Sequence, residues 1–313
     1  MLNKTLSACH IVGRVFASLI VFCALPAGVV AACGQPAWVD ARCRGAIGDD
    51  AADDSAALAA AVHAALSSNR PLMLPAGTYR LSRALVIDYA ARARTGLRLI
   101  ALGAVLDGRG IAAGPVLRID CSGGTAAAPK GCFYLHQEGT LFVEGDTDSY
   151  AVVIGKPDFS DAQNSIRLDH LVVNNAGTGP AAGGLQLNYV LDADIFAVAD
   201  SAGGGAGIAL EQTQFSHLSG AGSARAGTGL LIENGYSFAN TIAAIDLEAA
   251  PVCLTLASPQ AAHNTFVSPY FACPAAVAAT AGTATVLINP LFAGNVVTDF
   301  AGTSGVTVLP QPF

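Results

Sequence analysis

The feature that most constrains the fold of this chain is a short repeat that begins after about residue 150. Four segments share a pattern of alternating apolar residues and start about 22 residues apart, at 184–188, 207–211, 229–233 and 251–255. A second column of similar segments begins at Asn164, Ala193, Ser216, Asn240 and Asn264, and a third column pairs 267–271 with 288–292. Repeats of this length are typical of stacked units, none of which can bury its apolar face alone.

Each unit contains two or three short strands with apolar residues at i and i+2, separated by Gly, Asn or Ser. Leucine-rich repeats have a similar period, but their Leu and Asn spacing is missing here. The repeat therefore predicts an all-β solenoid, a parallel β-helix of about 22–24 residues per coil. Because side chains alternate along a strand, the second and fourth residues of each Gly-led strand should face the core. The asparagines at 164, 240 and 264 are expected at turns, where their amides satisfy backbone groups and stack between coils.

The segment before the repeat combines an acidic run, a helix and an apolar strand. Residues 45–50 read Gly-Ala-Ile-Gly-Asp-Asp, an Asp-Asp-Ser follows at 53–55, and an Ala-rich stretch leads to Leu-Pro-Ala-Gly-Thr-Tyr at 74–79. Asp54 is expected to cap the helix with its carboxylate, at the positive end of the helix dipole. The helix should carry one apolar stripe, formed by Leu58, Val62 and Leu66.

This order of motifs resembles the opening of the pectate-lyase-like, rhamnogalacturonase/epimerase-type proteins, and residues 45–79 carry the resemblance directly. The resemblance implies a right-handed parallel β-helix whose N-terminal end is covered by the helix, here a cap at about residues 39–80. It implies no single activity, since the family includes lyases, hydrolases, epimerases and phage tailspikes.

Residues 1–32 are predicted to be a secretory signal and not part of the fold. Lys4 and Arg14 make a basic start, an apolar run follows at 15–25, and Val-Ala-Ala at 30–32 is a small-residue cleavage site. The apolar run is short for a membrane-spanning helix. The formal net charge of −7 becomes more negative once Lys4 and Arg14 are removed, which argues against nucleic acid or anionic membranes as partners.

Removal of the signal leaves six cysteines in three close pairs: Cys33 and Cys43, Cys121 and Cys132, and Cys253 and Cys273. An even number in an exported chain favours disulfides, although spacing alone does not decide their connectivity. Residues 30–33 also match a lipoprotein box, but lipidation of Cys33 would leave Cys43 without a partner. We therefore expect a secreted or periplasmic protein without a lipid anchor and with one domain, at 33–313.

The first candidate site is a pair of stacked glutamates. Neighbouring strands lie about 4.8 Å apart, so outward residues at equivalent positions on successive coils are close together. Glu211 and Glu233 occupy the same outward position, with Asn188 on one side and Thr255 on the other. Two such carboxylates can share a proton and raise the pKa of one, as a retaining glycosidase requires. The alternative is a pair of solvated glutamates that repel mildly.

The second candidate is Asp192 with Asp194, which are expected on one face of one strand, about 6.5–7 Å apart. That separation suits two carboxylates with a water between them, as in inverting hydrolysis, and His217 on the next coil can assist. Because Asp194 falls close to a turn column, a turn-capping role is the alternative.

The third candidate comprises Asp246, Glu248 and Tyr270, which face outward on later strands, with Arg225 about one coil from Glu248. Tyr270 would stack on a sugar ring and Arg225 would pair with a carboxylate of the substrate. The alternative is a solvated polar edge.

Two other polar clusters are interpreted as structural. Four aspartates could suggest Ca²⁺, which prefers oxygen ligands, but turns and helix capping explain them: Asp49, Asp50, Asp53 and Asp54. Asp169 and His170 are interpreted as a surface pair. We predict no metal site and no cofactor, except that a uronate lyase would need Ca²⁺.

Known catalytic motifs of polygalacturonase-like hydrolases, namely Asn-Thr-Asp, Asp-Asp, Gly-His-Gly and Arg-x-Lys, are missing from the repeat region. Beyond residue 120 the cationic side chains are Lys130, Lys156, Arg167 and Arg225, so a polyuronate groove would depend on Ca²⁺ for positive charge.

The sequence thus favours a secreted carbohydrate-active protein that acts on a polysaccharide as a glycoside hydrolase or a polysaccharide lyase. Hydrolysis is preferred because acids outnumber cations. The alternatives are a non-catalytic carbohydrate-binding or surface-structural solenoid and, third, a uronate epimerase. A pair of acids in a groove with aromatic walls would favour an enzyme. A flat face of Ala, Ser and Gly would favour a carbohydrate-binding protein.

Overall fold

The computed structural model describes Cys33 and residues 37–280, 283–293 and 305–309. All strands described below belong to the unit Gln35–Phe313. The predicted signal at residues 1–32 lies outside the described residues. No helix among the described residues is long and apolar enough to cross a membrane.

One α-helix, α1, spans Ser55–Ser68. The strands are β1 Val39–Asp40, β2 Asp49–Asp53, β3 Leu72–Leu74, β4 Gly77–Arg80, β5 Leu85–Asp88, β6 Leu97–Gly108, β7 Leu117–Asp120, β8 Lys130–Phe133, β9 Leu135–Gly145, β10 Tyr150–Ile154, β11 Asp161–Asn164, β12 Arg167–Asn175, β13 Gly183–Asn188, β14 Val190–Leu191, β15 Asp194–Ser201, β16 Ala206–Glu211, β17 His217–Ala224, β18 Thr228–Glu233, β19 Thr241–Glu248, β20 Val252–Leu256, β21 Asn264–Val267, β22 Tyr270–Ala272, β23 Ala275–Ala279, β24 Thr285–Ile288, β25 Leu291–Phe292 and β26 Val306–Leu309.

These strands form three parallel sheets in which each strand pairs with its equivalent one coil later. The largest follows the order β1-β3-β6-β9-β12-β15-β17-β19-β21-β24-β26, an eight-stranded sheet runs from β5 to β23, and a three-stranded sheet joins β8, β11 and β14. Coils in the second half have the predicted length, for example 23 residues between Asp194 and His217 and 24 between Asn240 and Asn264. The prediction of a right-handed parallel β-helix with a helix at its N-terminal end is confirmed.

Left-handed backbone positions divide the long strands of the largest sheet into two segments. The register of pairing shifts beside Gly103 and Gly220, whose φ angles are 77° and 122°. At Gly220 a Cβ atom would lie 1.8 Å from the Ala197 oxygen, so only glycine fits there. The bend gives this sheet two outward faces.

The largest sheet and the eight-stranded sheet together present three outward faces. Face 1 is the first part of the largest sheet, at 97–102, 135–138, 167–169, 194–196, 217–219, 241–243, 264–267, 285–288 and 306–309. Face 2 is its second part, at 104–108, 141–145, 171–175, 197–201, 220–224, 245–248, 270–272 and 291–292. Face 3 is the eight-stranded sheet.

The core consists of stacked apolar columns, as the alternation predicts. All six residues expected to point inward are buried: Leu185, Leu187, Ile208, Leu210, Leu230 and Ile232. One register prediction is wrong, because Leu254 and not Val252 lies beside Leu230. Consequently Thr255 pairs with Leu231 and is not the neighbour of Glu233.

A buried polar ladder runs along one corner of the core. Asn264 Oδ1 accepts from the backbone N–H of Asn240 at 3.1 Å, and Asn240 Oδ1 accepts from the N–H of Ser216 at 3.0 Å. Ser216 Oγ in turn accepts from the N–H of Ala193 at 3.1 Å. The prediction of stacked turn amides is confirmed for Asn240 and Asn264. Asn164, the last residue of β11, donates to the carbonyls of Cys132 and Ala162 and so satisfies backbone groups as predicted, but it does not belong to this ladder.

Helix α1 packs on the strands of the first coil through the predicted stripe, in which Leu58 and Val62 are buried. Asp54 is the N-cap residue, but its carboxylate makes no capping bond, so that expectation is wrong. The buried carboxylate of Asp54 instead accepts from the N–H groups of Ile47 at 2.7 Å and Gly48 at 3.0 Å, where it holds the loop.

Asp49 and Asp53 have the expected structural roles. Asp49 Oδ1 accepts from two backbone N–H groups in its own turn, and Asp53 binds Ser55 and Ser82.

Disulfides join Cys121 to Cys132 and Cys253 to Cys273. Cys33 and Cys43 are disulfide-bonded as well.

Candidate functional site

A column of left-handed corner residues leads the chain into face 1, one residue per coil. Their φ angles lie between 52° and 65°, and the members are Tyr134, Ser165, Asp192, Phe215, Ala239 and His263. The corners are joined by backbone hydrogen bonds, as from Asp192 N–H to the Gln214 oxygen at 3.1 Å. Positive φ is rare for a bulky residue. Phe215 adopts it nonetheless, and its ring is 60% exposed beside face 1.

The structure places Asp192 on this corner and Asp194 at the first position of β15. The prediction that both lie on one face of one strand is therefore wrong, because the chain turns at Asp192, whose φ is 55°. The two side chains have different partners. The Ser165 hydroxyl donates to Asp192 Oδ2 at 3.0 Å, and His217 Nδ1 lies 3.1 Å from Asp194 Oδ1.

Both aspartates nevertheless line one open groove of about 540 Å³ at the junction of the corner column and face 1. This volume falls within the range of roughly 300–1,000 Å³ that is typical of small-molecule sites. His217 and Thr241 extend its polar lining, and Phe215 contributes an exposed aromatic ring. The groove therefore combines two carboxylates, an imidazole and an apolar surface.

The aromatic ring of Phe215 belongs to a small cluster. It contacts Phe238 edge-to-face with ring centroids 5.2 Å apart, and Tyr236 lies 6.5 Å from Phe238. Tyr236 is exposed like Phe215. Exposed aromatic side chains that hold each other in place offer a rigid apolar surface to a ligand.

Sequence reasoning missed a ladder of charged residues on the same face. Arg98, His136, Arg167, Asp194 and His217 occupy one lateral column on successive coils. The sequence gives little warning of this column because its members are separated by coils of unequal length. Three of its basic residues, Arg98, His136 and Arg167, contact carboxylates two residues further along the strands, whereas His217 contacts Asp194 of its own column.

Two of those carboxylates bind several members of the ladder. Glu138 forms a bidentate ion pair with Arg98 and lies 3.2 Å from His136. Asp169 accepts from Arg167 Nε at 2.8 Å and lies 3.4 Å from His136 Nε2. The hydrogen bond from Arg98 holds the pKa of Glu138 below its usual range. Burial acts to raise the pKa of Asp169, but hydrogen bonds from Arg167 and His136 outweigh it and lower the pKa.

The interpretation of Asp169 and His170 as a surface pair is wrong, since their side chains have different partners. His170 Nδ1 lies 3.2 Å from the Thr140 hydroxyl, and its ring contacts Phe196 edge-to-face at 4.9 Å. Asp169 belongs to the charged ladder.

The stacked glutamates lie on face 3 as predicted, with Glu211 directly beside Glu233 and beside Asn188. Glu211 is 6% exposed, and its two oxygens accept from Gln186 Nε2 and, at 3.1 Å, from Asn234 Nδ2. Burial, followed by the charge of Glu211, raises the pKa of the Glu233 carboxyl. One carboxylate is therefore fixed by amides while its neighbour holds a proton more tightly than a free glutamate.

The third candidate group lies on face 2, where Asp246 pairs laterally with Tyr270 and Glu248 is two residues further along β19. Burial, followed by the charge of Glu248, raises the pKa of Asp246. No ion pair joins Arg225 to Glu248 in the described part of the chain. Within that part, no group of three or more His, Cys, Asp or Glu side chains is arranged to hold a metal ion.

Comparison with known proteins gave no matching family model and no similar curated protein. Several solved structures share the general architecture at low similarity. The Agl-KA catalytic domain is 16% identical with a TM-score of 0.41, over 88% of this chain and 52% of that one. Geobacillus virus E2 ORF18 is 12% identical with a TM-score of 0.45, over 84% and 54%. The mannuronan C-5 epimerase AlgE6 A-module of Azotobacter vinelandii is 14% identical with a TM-score of 0.35, over 87% and 100%. This chain spans about half the length of the first two, and similarities this weak carry no argument about activity.

Proposed function

We propose that the protein hydrolyses a glycosidic bond of a polysaccharide in the groove on face 1. The observation that carries this proposal is the joint lining of that groove by Asp192, Asp194, His217 and the exposed ring of Phe215. Glycoside hydrolysis requires two carboxyl groups beside the bond, and an aromatic surface suits the apolar face of a sugar ring.

In the proposed mechanism Asp194 is the general base and Asp192 the general acid. His217 Nδ1 lies 3.1 Å from Asp194 Oδ1 and can hold this carboxylate in position. Asp194 would remove a proton from a water that attacks the anomeric carbon. Asp192 would protonate the departing glycosidic oxygen from the opposite side, with inversion. Ser165 orients Asp192 through its hydroxyl hydrogen bond.

The lining favours hydrolysis over β-elimination. Elimination from a uronate needs positive charge to stabilise the carboxylate of the sugar. Within the described lining of the groove there is no Arg or Lys, and His217 is the one residue with a basic side chain. A neutral polysaccharide is therefore the proposed substrate class.

A second candidate site is the glutamate pair on face 3, favoured by the raised pKa of Glu233 beside the fixed carboxylate of Glu211. This pair would act as the acid and the nucleophile of a retaining hydrolase. The burial of Glu211 makes it the less accessible of the two sites. The disulfides accord with the proposal of an exported protein that meets its polysaccharide outside the cytoplasm.

The test is a degradation screen of the purified protein against neutral and acidic polysaccharides, followed by reducing ends and by the absorbance of unsaturated uronates. Asp192→Asn and Asp194→Asn should each lower the release of reducing ends by about 10²-fold or more, as expected for loss of an acid–base group. Asp146→Asn, a change of an exposed carboxylate outside the groove lining, is the matched control and should retain full activity.

Glu211→Gln and Glu233→Gln distinguish the two sites. If these variants lose activity while the aspartate variants keep full activity, the catalytic site lies on face 3 and not in the groove on face 1. Unsaturated products would contradict hydrolysis. If no polysaccharide in the screen is degraded but glycan binding is retained, the protein is a carbohydrate-binding solenoid and the enzyme proposal is refuted.

A further inference from the structure

A second groove continues the one on face 1 toward the C-terminal end of the solenoid. Its volume is about 470 Å³, and His263, Thr265 and Thr307 are among its lining residues. The last coil that lines the first groove contributes Ala239 and Thr241. His263 and Thr265 are the equivalents of these two residues one coil later, because Thr241 pairs laterally with Thr265. The two grooves therefore follow one another along the same edge of the solenoid.

One outward column of face 1 runs through both grooves. It starts in the first groove with Asp194 and His217, and lateral pairing continues it through Thr241, Thr265, Val286 and Thr307. In the described part of the chain the hydroxyl groups of these three threonines make no hydrogen bond, so each can donate to a ligand and accept from it. No Asp, Glu, Lys or Arg belongs to the described lining of the second groove. This part of the column therefore suits an uncharged ligand that carries hydroxyl groups.

The opposite end of the same edge carries an exposed aromatic ring. Tyr134 is the corner residue of the coil before Ser165, and its side chain is 60% exposed. It occupies the same left-handed corner position as Phe215 three coils later, with a φ angle of 65° against 52°. The two corners lie about 14 Å apart along the axis, which is three coil spacings of about 4.8 Å. Two exposed rings on one line offer stacking surfaces to separate units of one ligand.

The dimensions of this edge favour a ligand that lies parallel to the solenoid axis. From His136 to Thr307 the column makes seven lateral pairings, which at about 4.8 Å each span about 34 Å. Across the strands face 1 is narrow, since β15 contributes only residues 194–196 to it, a width of about 10 Å. The rise of one coil is close to the length of one pyranose unit in an extended chain. Successive sugar units would therefore meet equivalent positions on successive coils.

We propose that Tyr134, the groove on face 1 and the second groove form one axial track, which binds a single chain of a neutral polysaccharide parallel to the solenoid axis. Tyr134 stacks on a sugar unit at the N-terminal end of the track. Thr265 and Thr307 form hydrogen bonds with sugar hydroxyl groups at the C-terminal end. The track has room for about seven sugar units, one for each coil spacing.

This inference deepens the hydrolysis proposed above and rests on it for the bond that is cut. Asp192 and Asp194 lie between the two ends of the track, so the bond would be cut in the interior of the bound chain. Binding along the track does not itself require cleavage and can be measured without it.

The test is a calorimetric binding series with the full protein carrying Asp194→Asn, a change that prevents loss of the ligand by hydrolysis. The probes are cello-, laminari-, malto- and manno-oligosaccharides, each from the dimer to the octamer. In the series that fits the track, the octamer should bind at least about tenfold more tightly than the trimer, because only the longer chain reaches both ends. Tyr134→Ala and Thr307→Val should each weaken octamer binding by about three- to tenfold, the equivalent of one aromatic or one hydrogen-bonding contact.

Two substitutions of the same type outside the track are the matched controls. Tyr270→Ala removes an exposed tyrosine of face 2, and Thr178→Val removes an exposed hydroxyl that belongs to neither groove. Both variants should bind the octamer normally. Thermal unfolding of every variant verifies that the protein is folded.

Length-dependent binding without release of reducing ends by the unmodified protein would support the track and refute the hydrolysis. Hydrolysis with an affinity that does not rise from the trimer to the octamer would overturn the track and leave the hydrolysis intact. The track is also overturned if no oligosaccharide binds, or if folded Tyr134→Ala and Thr307→Val bind the octamer as tightly as their controls. Loss of affinity in Tyr134→Ala alone would overturn the continuation of the track through the second groove.

Discussion

Gln137 is a buried polar residue in an apolar column of the core, and its replacement by leucine should stabilise the fold. The side chain is 2% exposed and lies between Leu99 and Leu168 of the neighbouring coils. Its Nε2 donates to the Gly139 carbonyl at 2.8 Å, whereas Oε1 is buried without a hydrogen-bond partner. The adjoining internal cavity of about 10 Å³ has apolar walls apart from Gln137, so a water there would lack the usual partners.

The expected magnitude follows from three contributions. An unsatisfied buried acceptor costs about 1–3 kcal/mol, and loss of the Nε2 bond costs about 0.5–1.5 kcal/mol. The Gly139 carbonyl loses this donor after the change. The apolar leucine side chain adds burial in a column of leucines. Gln137→Leu should therefore raise the free energy of unfolding by about 1–2 kcal/mol, or the thermal midpoint by about 2–8 °C.

The assay is urea and thermal unfolding of both proteins, with Gln163→Leu as the matched control. Gln163 is equally buried, but Tyr89 Oη donates to its Oε1 at 2.5 Å and its Nε2 donates to Asp161 Oδ2 at 3.1 Å. Gln163→Leu leaves the buried Tyr89 hydroxyl without this acceptor and removes one donor from Asp161 Oδ2, which keeps the Cys121 N–H at 2.7 Å. The change should destabilise the fold by about 2–5 kcal/mol. If Gln137→Leu destabilises the protein as much as this control, the inference that Oε1 of Gln137 is a net cost is refuted.

Three other changes test features of the fold and of face 3. Because the pKa of Glu233 is raised in the folded state, its charged form destabilises the fold around pH 7, and Glu233→Gln should remove this cost. Around pH 3 the carboxyl is protonated in the folded and unfolded states, so the same change should not stabilise the protein; urea unfolding at both pH values measures the difference. Asn264→Ala removes a rung of the polar ladder and should cost about 2–4 kcal/mol in urea unfolding, with an exposed Thr241→Ala change as its control. Asp54→Asn keeps one acceptor oxygen but places its NH2 against the other of the two backbone N–H groups, so urea unfolding should show a loss of about 1–3 kcal/mol, and an unchanged midpoint would contradict the role assigned to this carboxylate.

The fold could be predicted from the sequence because two signals act at every coil. The period identifies stacking, and alternation identifies the face that is buried, as for Leu185 and Ile208. The position of α1 followed from its apolar stripe and from the motifs around it. The role of Asp54 could not be predicted, since its position before the helix favours capping. Its actual donors are the N–H groups of Ile47 and Gly48, in a loop whose position depends on the folded chain.

The site was predictable in part. Asp194 and His217 were expected to be neighbours and are, because the coil between them has the regular length. The corner position of Asp192 was missed, since a left-handed residue that is neither Gly nor Asn carries no clear signal in the sequence. Arg98 and His136 were missed as ladder members because the coil between them is much longer than the repeat that predicted the fold.

Both register errors were shifts of two residues, and this has a physical cause. A shift of one residue would turn every apolar side chain outward, so alternation excludes it. A shift of two preserves burial and changes only the lateral neighbours. Leu254 rather than Val252 therefore lies beside Leu230. In the same way Ile166, and not Asn164, occupies the position equivalent to Ala193. The inward faces remain as predicted.

The candidate sites differ in whether their lateral neighbours agree with the predicted register. The fold needs only correct burial, whereas a catalytic pair needs correct lateral neighbours. Glu211 with Glu233 and Asp194 with His217 come from coils where predicted and observed registers agree. Thr255 comes from a coil where they differ, and it drops out as a neighbour of Glu233. Substitutions at the first two pairs therefore test chemistry directly.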